Sequence, residues 1–438
     1  MTIQLNSCQK LAEQKFLHFL MTKDLDVMVI EGPAGTGKTT LVKHLIDSMP
    51  KYEKVLNGMG KSLPEFDEIA VTATTRKAAQ VLAESFNVKP MTIHSYLHLV
   101  IKNDYRTGET KIAPKDVYDP KMVKNGLIFI DEASFVDDVL FDYITKQCVN
   151  CKLVYMGDPY QLKFVGAKTN PIFDAQPKLY TAELKTIVRN KGTISDLSAM
   201  YRNVVATGQF QPFTACGKQI HHLDGKSFQK RVDAAFMDKG YKADKTAKVV
   251  TWTNQRCLEY NDYIMNLRGV NDVLTVGETL ICNKPVVYGE TVVVQTEEPV
   301  KISAVRTKKK HGVNGTQVFV TKKDGSTADF FVPNSQEAVK RMLRVLAQDK
   351  NWSDYFEIKN TWGDLRPSYA STVHKAQGST YETVFVDLED IGQCQDPDDA
   401  ARLLYVAVSR ASKEVVLYGD LPDHYMGVTS HEFAQSVA

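Results

Sequence analysis

Long hydrophobic runs are missing from this 438-residue chain: no stretch approaches the apolar length of a membrane span. The N-terminal MTIQLNSCQKLAEQKFLHFLMTKD carries charges throughout and lacks an apolar core and a small-residue cleavage site. It reads as an amphipathic helix capped by Asn6 or Ser7, not as a targeting segment. Cysteine is scarce too. The seven (Cys8, Cys148, Cys151, Cys216, Cys257, Cys282, Cys394) are scattered and odd in number, which argues for a reducing compartment and against a disulfide framework. Cys148 and Cys151 form a C-x-x-C, but no second C-x-x-C or H-x-x-x-H follows at zinc spacing. They read as two inert thiols beside a strand. A large net charge is also absent, since 54 basic and 52 acidic residues leave +2. That excludes a surface coated in basic charge, so any polyanion would have to be held in a local groove.

What remains is ordinary globular material, 43% hydrophobic and 24% charged, with a length that suggests roughly three domains. In the first part, short apolar runs alternate with helical patterns: DVMVI, EIAVTAT, GLIFIDE and CKLVYMGD are each followed or separated by helix-like segments. Near-continuous apolar strands are expected for a parallel sheet buried on both faces, with functional loops at the strand carboxyl ends. The rhythm breaks at VIKNDYRTGETKIAPK, a hairpin pattern turning at Arg106-Thr107-Gly108. It resumes after Arg189 with AKVVTWTN, ETVFVDLE and EVVLYGD. Between these, from Val273 to Trp362, alternation and Gly turns suggest a small antiparallel β-barrel. The spacing therefore predicts two α/β domains, each with an insertion: 1–92 and 125–188 around a hairpin at 93–124, then 189–272 and 363–438 around a β-rich segment at 273–362. No internal repeat or low-complexity tract is evident.

GPAGTGKTT, residues Gly32, Pro33, Ala34, Gly35, Thr36, Gly37, Lys38, Thr39 and Thr40, fits G-x-x-x-x-G-K-[ST] between a strand and a helix. Its glycines let backbone N–H groups converge on phosphate oxygens at a helix N-terminus. Lys38 would reach the outer phosphates and Thr39 would ligate Mg²⁺. Asp131 and Glu132 end the apolar strand NGLIFI, where one carboxylate can hold Mg²⁺ and the next can deprotonate the attacking water. Hydrolysis of ATP or GTP follows from this pair of motifs. What it drives does not.

The order of the remaining motifs carries a resemblance. DEAS at Asp131, GDPYQL at Gly157–Leu162, LKTIVRN around Arg189, STVHKAQGST at Ser371–Thr380 and LLYVAVSRAS at Leu403–Ser412 are similar to the ordered motifs of superfamily-one DNA helicases. The RecD/Dda group, and within it the phage Dda type, is the part of that superfamily the chain resembles. The resemblance implies two RecA-like P-loop domains with ATP between them, a β-hairpin pin in the first and an SH3-like barrel region in the second. It implies that Gln9 contacts adenine, that Gln161 senses the γ-phosphate, and that Gln377 and Gly378 approach it. Arg189 and Arg410 would supply charge across the cleft only when the domains close.

The resemblance also implies a strand-binding channel, lined by Thr74, Thr75, Arg76, Lys77, Thr92 and His94 in the first domain and by Thr253, Asn254, Thr372, His374 and Lys375 in the second. Bland readings exist for each: Thr-rich turns, capped helices, solvated polar side chains. The hairpin holds Tyr105, Lys111 and Ile112 near its tip but no evident Phe or Trp wedge. The RTKKKHG run could touch DNA or be a solvated hairpin tip. The implied activity is 5′→3′ movement on single-stranded DNA with unwinding of forked or tailed duplexes, in the cytoplasm (the host's if the chain is phage-encoded). Replication or recombination proteins are the implied partners, and no membrane is involved. The alternatives are a strand-binding ATPase switch without processive unwinding, and a P-loop kinase or other metabolic transferase.

Overall fold

The near-continuous apolar runs become parallel strands covered on both faces. The computed structural model describes residues 4–426, apart from 90, 165–168, 189–191, 214, 216–217, 243–244 and 271. Its first sheet runs, edge to edge, Glu68–Ala73, Gly126–Asp131, Lys152–Gly157, Val27–Glu31 and Tyr180–Glu183, with every neighbouring pair parallel. On one face Phe16, Phe19, Leu41 and Leu45 from the helices Ser7–Met21 and Lys38–Asp47 pack against Ile30, Phe129 and Val154. On the other, Ile93, Leu140 and Ile144 meet Ile128, Ile130 and Tyr155. Burial on both faces is why these strands show no polar alternation.

The second sheet runs Ile220–Leu223, Ala411–Tyr418, Tyr381–Asp387, Ala247–Thr251 and Ala370–Thr372, again all parallel. Helices Thr193–Thr207 and Pro397–Val408 cover one face through Ile194, Tyr201 and Leu404. Phe228, Phe236 and Ile264, from Gly225–Met237 and Asn254–Leu267, cover the other. The mixed α/β class read from the sequence is the one the chain adopts.

Two smaller units project from these sheets. Strands Leu99–Asn103 and Thr110–Pro114 form an antiparallel hairpin in register from Leu99↔Pro114 to Asn103↔Thr110. In the second unit, Thr327–Pro333, Val313–Lys322, Pro299–Lys310, Thr279–Cys282 and Leu365–Arg366 pair in that order, with a bulge between Ile302 and Ala304. The β texture does not continue to Trp362 as the spacing suggests. Helices Gln336–Gln348 and Trp352–Thr361 fill this stretch. Ser335 caps the first, and Ala338, Val339, Met342, Leu343 and Leu346 recur at helical spacing against Phe331 and Trp362. No described helix is long and apolar enough to cross a membrane.

Candidate nucleotide site and strand-binding groove

The Gly32–Lys38 loop leaves the carboxyl end of Val27–Glu31, an interior strand of the first sheet. Gly35 and Gly37 adopt left-handed φ of 82° and 79°, a conformation that suits glycine. Gly32 is needed for closeness: a Cβ there would lie 2.6 Å from the Leu184 carbonyl oxygen. Thr39 and Thr40 fall in the first turn of Lys38–Asp47, and Lys38 Nζ donates to Gly32 O (2.6 Å) and Pro33 O (3.1 Å). Gln9 braces this loop. Its Oε1 accepts from Asn6 N at 3.1 Å in a capping box, and its Nε2 donates to Thr36 O at 3.2 Å. Both ends of that carboxamide are thus engaged by protein.

Asp131 and Glu132 stand side by side at the end of the strand one removed from the P-loop strand. Asp131 Oδ1 accepts from the Glu132 N–H at 2.8 Å, and Glu132 sits in the left-handed region at φ 53°. Burial raises the pKa of both carboxyls; at Asp131 the charge of Lys38 opposes it. At Glu132 the Asp131 charge adds to burial, while Lys38, Arg410 and a hydrogen bond from Gln377 oppose it.

Groups from turns of the second α/β domain adjoin these carboxyls. Gln377 Nε2 donates to Gln161 Oε1 at 3.0 Å and lies 3.3 Å from Glu132 Oε2. Gly378, at φ 78°, faces the Lys77 stem. Arg410 is buried, with Nη1 donating to Ser379 O and Nε to Val406 O. Arg189 lies outside the described residues.

The loop bearing Gln161 is gripped by residues the sequence reading passed over. Arg402 Nη1 donates to Pro159 O (2.7 Å) and Gln161 O (2.8 Å), and Tyr405 OH donates to Asp158 Oδ2 at 2.5 Å. Arg202 adds an ion pair to fully buried Asp158 at 3.6 Å and stacks 4.2 Å from the Tyr160 ring centroid. Asp158 and Tyr405 fall inside motifs already noted, so their letters were visible. Arg202 lies mid-helix without any local signal.

The strand-binding candidates separate into caps, buttresses and cations. Thr75, Thr92 and Thr253 cap the helices that follow them. The Thr74 hydroxyl donates to the Glu132 main-chain carbonyl at 2.8 Å, so this residue ties its turn to the backbone that carries the Glu132 carboxylate. A bridge from Ala73 to Thr92 brings Thr92 and His94 to the same sheet end. Asp390 accepts from Trp252 N, Thr253 N and the Thr253 hydroxyl. Thr251 and Thr372 are in register on adjacent strands, and Asn254, Thr372 and Lys375 line one small pocket. Lys77 Nζ reaches across to Lys375 O at 3.2 Å. Burial lowers the pKa of Lys77, Arg76, His94 and His374.

The hairpin tip rests on the second unit. Tyr105 packs edge-on to Phe356 with centroids 5.1 Å apart, and Lys359 Nζ donates to Thr110 Oγ1 at 3.2 Å. Cys148 and Cys151 are buried thiols. Burial pushes Cys148 up to about 12.

Residues 4–218 match the family described as an AAA domain, and 367–418 match the UvrD-like helicase C-terminal domain. The chain is 24% identical to the ATP-dependent DNA helicase dda of Enterobacteria phage T4, over 89% of this chain and 93% of that protein. Its fold is similar to that of a Pif1 helicase from Bacteroides in complex with ADP-AlF3 and ssDNA. The TM-score is 0.51 at 15% identity, covering 100% of this chain and 97% of that one. A Pif1 structure concerned with unwinding of forked double-stranded DNA by two coordinating helicases gives 0.50 at 15%, covering 99% and 96%.

Proposed function

We propose, from the premise that this chain is a superfamily-one helicase of the Dda and Pif1 type, that it uses ATP hydrolysis to move 5′→3′ along single-stranded DNA and part duplexes. One observation carries the reading: Gln377 of the second α/β domain touches both Glu132 and Gln161 of the first. A hydrolysis site assembled from both domains has a turnover that depends on how the domains sit.

In the proposed cycle, the loop amides after Gly32 and the Lys38 ammonium bind the outer phosphates of ATP. Asp131 and the Thr39 hydroxyl would hold Mg²⁺, whose role when bound is to neutralise charge on the phosphate oxygens. The fit is electrostatic: two adjacent half-buried carboxylates are disfavoured as anions, and an added cation relieves that. Glu132 takes the proton of the attacking water, and Gln161 with Gln377 orients it. Arg410 adds positive charge from the second domain, and Arg189 is proposed to do the same.

Coupling to DNA runs through Ser371–Thr380. Lys375, a proposed phosphate contact, stands two residues from Gln377 and holds Lys77 of the first domain through its carbonyl. Thr74 links the opposite side of the groove to Glu132. Single-stranded DNA and forked or tailed duplexes are the proposed substrates, with replication or recombination proteins as partners in a cytoplasmic setting. The test is strand displacement on 5′-tailed and 3′-tailed duplexes with and without ATP. Displacement of the 5′-tailed substrate alone is expected; activity confined to the 3′-tailed one would reverse the polarity. ATP turnover stimulated by DNA without displacement would favour a switch over a motor.

A further inference from the structure

The proposed strand groove already contains a carboxylate on one of its cations. Glu297 Oε1 lies 3.0 Å from Lys375 Nζ, and the same ammonium donates to Asn283 Oδ1. Glu297 belongs to neither α/β domain; it sits in the turn joining strands Thr291–Val294 and Pro299–Lys310 of the β-rich unit. The turn is tightly built. Gln295 N donates to Glu298 Oε2 at 2.7 Å, Glu297 N to Cys282 O at 2.7 Å, and Cys282 N to Glu298 O at 3.1 Å. Glu297 itself is held at φ 61°, a left-handed conformation uncommon for a residue with a Cβ.

Its neighbours are the cations assigned to the strand. The Glu297 charge opposes the effect of burial on Lys77, whose ammonium is hydrogen-bonded to the Lys375 carbonyl. Glu298 does the same for Arg76. Glu297 also lines the pocket that holds Asn254, Thr372 and Lys375. Two adjacent acidic side chains from one turn thus face three cations drawn from both α/β domains.

We propose that Glu297 is a further residue of the strand-binding groove, whose carboxylate occupies on Lys375 the position of a backbone phosphate and is exchanged for it when DNA binds. Glu297 sets the affinity of the groove for a phosphodiester chain. Any segment unable to present a phosphate at Lys375 leaves the internal pair intact. This inference rests on Lys375 being a strand contact.

Salt separates exchange from mere packing. Each phosphate neutralised by a protein cation releases condensed counterion, contributing about 0.7 to the slope of log K against log salt for a single strand. Where a phosphate displaces an internal carboxylate, the freed carboxylate takes up cation from solution and cancels that release. Glu297→Gln removes the carboxylate with almost no change of shape. Titration of a fluorescein-labelled single-stranded oligonucleotide with the full chain, by anisotropy over a salt series, should give roughly fivefold tighter binding at low salt. The salt slope should also steepen by about 0.7. Equal or weaker binding with an unchanged slope overturns the exchange. Lys375→Ala, run alongside, isolates the premise: weaker binding keeps the groove whatever Glu297→Gln does. Unchanged binding of Lys375→Ala removes the groove, and the exchange with it.

Discussion

The carboxamide of Gln377 donates to Oε1 of Gln161 across 3.0 Å, joining residues 216 positions apart in the two α/β domains. Both side chains are buried, and the same Gln377 nitrogen lies 3.3 Å from Glu132 Oε2. Gln377→Ala removes a donor aimed at the half-buried Glu132 carboxylate and frees the Gln161 amide to turn. Turnover of ATP in the presence of single-stranded DNA should fall on the order of tenfold to a hundredfold in kcat, with a smaller change in KM. A steady-state ATPase assay at saturating oligonucleotide checks it. A rise in KM at constant kcat would instead make Gln377 a binding residue.

Tyr405 and Arg402 hold the Gln161 loop from behind. Tyr405→Phe deletes one hydroxyl and takes from fully buried Asp158 the partner of its Oδ2, leaving the Tyr160 N–H at 3.1 Å and the 3.6 Å pair to Arg202, both on Oδ1. Loss of a hydrogen bond to a charged acceptor costs about 1.5–3 kcal/mol. Tm should therefore drop measurably by calorimetry, and DNA-stimulated kcat should drop with it because Gln161 loses its anchor. A lower Tm at unchanged kcat would confine the pair to holding the domains together.

Sequence legibility followed chemical locality. The P-loop, the Asp131–Glu132 pair and the hairpin were readable because strand, turn and functional letters are contiguous. Gln9 and Thr74 were visible as letters, but their partners, Thr36 O and Glu132 O, come from segments 27 and 58 residues away. The grip of Arg402, Tyr405 and Arg202 on residues 158–161 depends on two domains meeting, which no spacing reports. The helices Gln336–Gln348 and Trp352–Thr361 are a different kind of miss. Their 3.6-residue period is present, but the strong alternation just before them drew the reading onward as β structure.

His94 and His374 give the fold an acid-side weakness. Burial lowers the pKa of both, against the opposing charges of Asp137 and Asp399 respectively. Above the unfolded value near 6.5, both folded and unfolded forms are neutral and neither residue tilts the balance. As pH falls below about 6.5 the unfolded chain takes up protons that the folded chain resists, so stability declines towards the depressed folded values. Tm measured from pH 7.5 to 5 should show this decline. His94→Gln with His374→Gln should flatten it, and an unchanged slope would place the acid sensitivity elsewhere.

Gly108 allows the hairpin tip to lie against the helix Trp352–Thr361. Its φ is 77°, and a Cβ there would come within 2.3 Å of the Trp352 ring. The same helix offers Phe356 to Tyr105 and Lys359 to Thr110, so the tip has three attachments to one rigid element. A hairpin that parts a duplex needs such backing, because force applied at the tip must be resisted by something other than its own two strands. Gly108→Ala combines left-handed strain with a ring clash and should push the tip off the helix. Both sheets and the nucleotide site lie elsewhere, so DNA-stimulated ATPase should stay within about twofold while displacement of a tailed duplex falls on the order of tenfold. Tyr105→Ala, which removes only the Phe356 contact, should give a smaller loss in the same direction. Equal loss of ATPase and displacement in Gly108→Ala would show that the hairpin supports the motor and not the separation of strands.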